Sequence, residues 1–159
     1  MLVTLIGIGI FVVDMGHLNA TKSNLQNAAD SASFAGALRL RVGRSMSEQD
    51  GVLIPHLKEL SKKFAELNHP AAGILASADI QVGRWDFVKR TFTTTPPSEA
   101  NAVRVSVRRG GSQSEKVPLL LAPFFGAGST EIDSLSVSAF DTLTDAGGNQ
   151  TFSMPYIVQ

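Results

Sequence analysis

The chain has 159 residues, 43% hydrophobic and 18% charged, with 14 basic and 14 acidic side chains that leave a formal net charge of zero. That length carries one compact domain beside an extended element but not comfortably two, and a neutral chain offers no field to gather nucleic acid or an acidic partner. Cysteine is absent, which excludes disulfides, thiolate catalysis and cysteine-based metal sites.

Residues 1–13, MLVTLIGIGIFVV, hold no charge and nothing more polar than Thr4, and they run directly into the helix-like stretch DMGHLNATKSNLQNAADSASFAGALRLRVG. Such a helical stem reaches roughly 20 Å at 1.5 Å per residue, while a comfortable membrane span takes about 20 apolar residues. The run has the length of a signal-peptide core, yet no basic segment precedes it and Asp14-Met15-Gly16-His17 is a poor cleavage site. Two expectations remain: the segment belongs to a longer hydrophobic stretch, or it packs against identical neighbours. In both, a rod with one apolar end requires a second body, lipid or copies of itself, to remove that end from water.

The rod is expected to run to about Leu40 and to close at Gly43, a residue suited to a left-handed cap. Its second half carries two rows of small residues at four-residue spacing, Ala28, Ala32 and Gly36 beside Ala29, Ser33 and Ala37. Such rows let backbones approach closely, either between helices in lipid-like surroundings or where a helix lies tightly on its own sheet. A second helix follows, with Leu57, Leu60, Phe64 and Leu67 on one side, charged residues on the others, Pro55 in its first turn and Asn68-His69-Pro70 at its end.

Beyond Gly73 the period changes from 3.6 to 2. Strands are expected over Asp79–Asp86, with Gly83 marking a bulge, over Arg90–Thr94, and over Asn101–Arg109 with Val103, Val105 and Val107 inward. A fourth sets Leu135, Val137 and Ala139 inward against Ser134, Ser136 and Ser138 outward. Val117–Phe125, broken by Pro118 and Pro123, reads as a short helix or loop plugging the core. The fold class is α+β: a long N-terminal helix, a short helix, then a four-strand antiparallel sheet. The expected organisation is a stem and stalk over 1–43, a globular head over 44–141, and a Gly-rich hinge with a β-prone tail over 142–159. That tail either closes the sheet edge or adds a strand to a neighbouring head.

The stretch FVVDMGHLNATKSNLQNAADSASFAGALRL resembles the N-terminal segment of the TadE/TadG-like group of Flp (Tad) pilus-assembly proteins, through Asp14, Gly16, Leu25–Asp30, Ala32 and Ala35–Ala37. The later pieces VGRWD, NAVRVSV, FFG and SVSAF resemble the portion often attached to it. The resemblance implies a pilin-like component of a bacterial surface apparatus for adhesion and secretion, inserted in the membrane before assembly. Two departures stand out. Prepilin-type pilins carry Glu at the fifth mature position, where Leu5 stands if Met1 is the mature start. Larger relatives also carry an adhesin-like domain, so this length implies a minimal rod-and-head version.

The chemical inventory is thin. His17, His56 and His69 are scattered without metal-ligand spacing, no serine sits in a nucleophile elbow, and Gly110-Gly111-Ser112 reads as a hairpin turn rather than a phosphate loop. The expectation is no enzyme, no cofactor, no nucleic acid and no small-molecule substrate. Trp85 is expected in the core, with Arg84 and Asp86 forming a local ion pair. Asp14 marks the point where the apolar segment meets water; the sharper alternative pairs it with His17 or Lys22 of a neighbour. The expected assembly surface comprises Leu2, Leu5, Ile6, Ile8, Ile10, Phe11 and Val13 on the stem, Asp14 at its end, and the small residues Ala28, Ala32 and Gly36. The expected function is a structural subunit that self-assembles with copies of itself, or with other pilin-like subunits, into an extracellular filament. The alternatives are a membrane-anchored accessory pseudopilin and an adhesin head.

Overall fold

The computed structural model of the chain describes residues 1–68, 79–109, 117–120, 129–144 and 150–158. Its first element, α1, is one unbroken helix over Leu2–Ser45 that joins stem to stalk. It runs past Gly43, where a stop was expected. The positive φ is taken instead by Ser47 (53°), and the Glu48 N–H closes back onto the Gly43 carbonyl at 2.9 Å. Gly43 serves packing instead. A Cβ there would lie 2.3 Å from Leu53 Cδ1, so its small size lets the second helix approach. That helix, α2, spans Asp50–Asn68 and includes Pro55 past its first turn. The missing proline N–H removes a helical bond there, a cost tolerated inside a helix only when tertiary packing compensates.

The buried stripe of α2 is Leu53, Leu57, Ser61 and Ala65, whereas Phe64 and Leu67, expected inward, are exposed. Size rather than hydrophobicity decides the face, because α2 crosses α1 where α1 is narrow. A Cβ on Gly36 would meet Ser61 Oγ at 2.5 Å and Val103 Cγ1 at 3.0 Å. Arg39 bridges to Glu48 at 2.7 Å and Arg44 to Asp50 at 2.8 Å, tying the end of α1 to the connection and to the start of α2.

The main sheet has five strands rather than four: β1 (Ile80–Asp86), β2 (Thr91–Thr94), β3 (Ala102–Arg109), β6 (Ile132–Ala139) and β9 (Tyr156–Ile157). They lie in the order β2-β1-β3-β6-β9, all antiparallel. The fifth comes from the tail. Two ribbons accompany the sheet: β4 (Val117–Pro118) with β5 (Ser129–Thr130), and β7 (Thr142–Thr144) with β8 (Gln150–Phe152). The expected plug thus begins as a strand, with Val117 buried and Leu120 exposed; residues 121–125 lie outside the described residues.

α1 lies across β3 and β6, and α2 lies on α1. The valines of β3 face the helix as expected, but the serine alternation of β6 is reversed. Register pairs Val103 with Ser138, Val105 with Ser136 and Val107 with Ser134, and cross-strand partners share a face. The serines are therefore the buried set, while Leu135 is 50% exposed. Ser33 Oγ meets Ser136 Oγ at 3.0 Å and Ser138 Oγ at 2.8 Å, so small hydroxyls pair at a close helix–sheet contact. Val137 and Ala139 turn to the other face and join Trp85 and Ala102 in a second cluster, flanked by Phe87, Phe92 and Val158. Gly83 keeps regular register with both neighbours. It is glycine because a Cβ would stand 2.3 Å from the Thr93 carbonyl and 2.7 Å from the Phe92 ring.

Candidate assembly surface

A helix whose apolar residues fall on every side has no polar face to offer water and must be covered all round. The stem is such a helix: Leu5, Ile6, Ile8, Phe11, Val12 and Val13 are each 53–65% exposed and at about 100° per residue spread over roughly 220° of its circumference, with Ile10 on the remaining side. Ile10 is part-covered, and the Leu2 side chain lies outside the described residues. No described helix is long and apolar enough to cross a membrane.

The stem ends at Asp14, which is only 8% exposed. Its Oδ1 accepts the Leu120 backbone N–H at 2.8 Å, so this carboxylate has a partner within its own subunit. The bond draws the segment after β4 down onto the helix. Val13, Asp14, His17, Leu119 and Leu120 line a groove of about 290 Å³ there. His17 and Lys22 are exposed. His56 is exposed on α2, and His69 and the Gly110–Ser112 turn lie outside the described residues.

Ala28, Ala32 and Gly36, expected on the assembly surface, stand elsewhere. Ala28 and Ala32 are 0% exposed, and Gly36 lies against Ser61 and Val103. The reason is geometric: the close approach that small residues permit is used by the subunit's own sheet and α2, while the stem keeps its large apolar side chains uncovered.

Residues 14–140 match the Tad-like Flp pilus-assembly family, which is more than three-quarters of the chain. The chain belongs to that family. Flp/Tad pilus assembly is thereby its setting, in association with other pilus components and at the cell envelope or surface. The match opens at Asp14 and closes at Phe140, leaving the stem and the tail outside it. No curated protein and no solved structure matches the chain significantly.

Several described motif residues of this Tad-like chain make contacts within the fold, while FFG (124–126) lies outside the described residues. In LQNAAD, Leu25, Ala28 and Ala29 are 0% exposed. Gln26 Nε2 donates to Asp30 at 2.8 Å and to the Leu135 carbonyl at 3.2 Å, covering part of the β6 edge. In VGRWD, Trp85 is 7% exposed in the second cluster, as its core reading requires. Asp86 turns to backbone, accepting the Val88 and Lys89 N–H groups at 2.9 Å. In NAVRVSV, Asn101 accepts the Trp85 N–H at 2.7 Å. Sequence reasoning missed Leu120 and its bond to Asp14, since a residue so remote in sequence gives no local signal. It also missed Arg41, whose guanidinium donates to the Phe152 carbonyl at 3.1 and 3.2 Å and ties the tail to α1. Among the described residues no group of three His, Asp or Glu is gathered in a metal-binding cluster.

Proposed function

We propose that the chain is a pilin-like structural subunit of the Flp/Tad apparatus, held in the membrane by its stem and then assembled with like subunits through that stem. The carrying observation is the stem itself, apolar on every side and continuous with the head through one helix. Each buried Leu, Ile, Val or Phe contributes about 1.5–3 kcal/mol, so removing the stem from water supplies on the order of 10 kcal/mol before ordering costs. The test is negative-stain electron microscopy of the purified chain as detergent is withdrawn. Uniform filaments support the polymer subunit; dispersed particles that stay monomeric or enter added vesicles sink it.

One observation favours a second reading, a membrane-anchored accessory pseudopilin. With the rows of small residues buried inside the subunit, they are not open to close packing against another helix, and the stem alone must bind. Persistent vesicle-bound monomers are the outcome this reading expects.

A further inference from the structure

We propose that the Leu119–Leu120 segment is a second lipid contact that seats the base of the head on the bilayer surface and so fixes the head's orientation. The inference rests on the reading that the stem is held in lipid before assembly. Leu120 is 63% exposed, a large apolar side chain left uncovered beside the end of the stem. Its height along the molecule is set, because its N–H is bonded to Asp14, the residue next to Val13 at the end of the apolar stem. A stem inserted as far as Val13 therefore brings Leu119 and Leu120 to the boundary between headgroups and acyl chains, the zone in which interfacial apolar side chains bury. The same bond makes that position tolerable. A backbone N–H taken toward lipid must find an internal acceptor, and the Asp14 carboxylate provides it while receiving a donor in return.

The absence of cysteine makes the test clean. Single-cysteine variants Val12→Cys, Leu120→Cys and Val88→Cys of the full chain are labelled with an environment-sensitive fluorophore and reconstituted in phosphatidylcholine/phosphatidylglycerol vesicles. Val88 is 92% exposed in the turn between β1 and β2. That turn lies at the far end of the head, because β1 climbs past Gly83, level with Ala102 and Ala139, beyond the Ser138 that meets Ser33. The expected result is quenching of the Val12→Cys label by deep spin-labelled lipids and of the Leu120→Cys label by shallow ones. Iodide quenching of the latter should be lower than at Val88→Cys by about threefold or more, as for a side chain buried in the interface. Equal iodide quenching at Leu120→Cys and Val88→Cys, with Val12→Cys still in lipid, overturns the seating alone. Failure of Val12→Cys to sense lipid overturns the lipid-held stem as well. Shielding of Leu120→Cys that follows protein concentration rather than lipid quencher assigns the segment to a second copy and overturns the proposal too.

Discussion

The Asn101 amide accepts the Trp85 N–H at 2.7 Å and donates to the Trp85 carbonyl at 3.4 Å, so one side chain does for Trp85 what a further ladder pair would do. β1 and β3 pair only as far as Gly83 and Ala102, and Trp85 would otherwise leave buried backbone groups unmet. Asn101→Ala should cost about 1–3 kcal/mol by orphaning a buried donor, seen as a lower urea midpoint with Trp85 emission shifted to the red. Asp86 works similarly at the next turn. Its carboxyl is held below the usual range chiefly by the Lys89 N–H, with the Val88 N–H adding to it. Glu48 is likewise held low by its hydrogen bond from Arg39. Since both folded values are the depressed ones, their stabilisation is fully present above the unfolded values, about 3.9 for Asp and about 4.3 for Glu. It fades as pH falls through the folded values. Carboxyl carbon-13 NMR should place both midpoints below those references, with the Lys89 amide shift following Asp86; midpoints at or above them would refute the assigned contacts.

Among elements, the helix–sheet contact is the one most sensitive to volume. Gly36→Ala would drive a methyl against Ser61 Oγ and Val103, and overpacking of this kind costs about 1–3 kcal/mol. Ser61 Oγ finds no hydrogen-bond partner among the described residues, so Ser61→Ala removes an unmet hydroxyl and should be neutral or stabilising. Combining the two changes should recover part of the loss, because the clash is shared; thermal melts of the parent chain, the two single variants and the double variant measure this, and strict additivity would place the contact elsewhere. Much of this layer is legible in the sequence. The long helix, the second helix and the four strands over residues 79–139 follow from periodicity, and the rows of small residues already have a tight sheet contact as one explanation. The serine strand is not legible, since an apolar/polar alternation is ordinarily read with its apolar side inward. Here register with the valines of β3 overrides it, and small hydroxyls fill a space too narrow for Leu135. The α2 stripe departs from its periodicity for the same reason: Ser61 and Ala65 fit the crossing, and Phe64 and Leu67 do not. β9 is open in the sequence, because Tyr156 and Ile157 join an edge whose identity depends on the whole sheet.

The whole molecule divides its apolar surface between two destinations. The head covers its own core, while the stem presents Leu5, Ile8 and Phe11 uncovered. Ile8→Asp together with Phe11→Asp should leave the head folded, with Trp85 emission and melting temperature little changed. It should abolish filament formation or vesicle binding, since each charge costs about 2.5–3.5 kcal/mol in a bilayer interior. Retained assembly would mean that the stem is not the associating part. The candidate surface is therefore half legible: the stem is plain from its uncharged run, whereas the partner of Asp14 requires the fold to bring Leu120 to it.

The single helix from Leu2 to Ser45 has a mechanical consequence. Its 44 residues span roughly 66 Å at 1.5 Å per residue, and its upper half supplies one wall of the core through Leu25, Ala29, Ala32, Ala37 and Leu40. A tension applied at the stem meets no hinge on its way to the head. It arrives as shear along the plane where Ser33 meets Ser136 and Ser138, with Arg41 and Arg44 fastening the far end. On the proposed reading of the stem, it cannot be drawn out of the head without dismantling the core, so the load it can bear is the unfolding strength of the head itself.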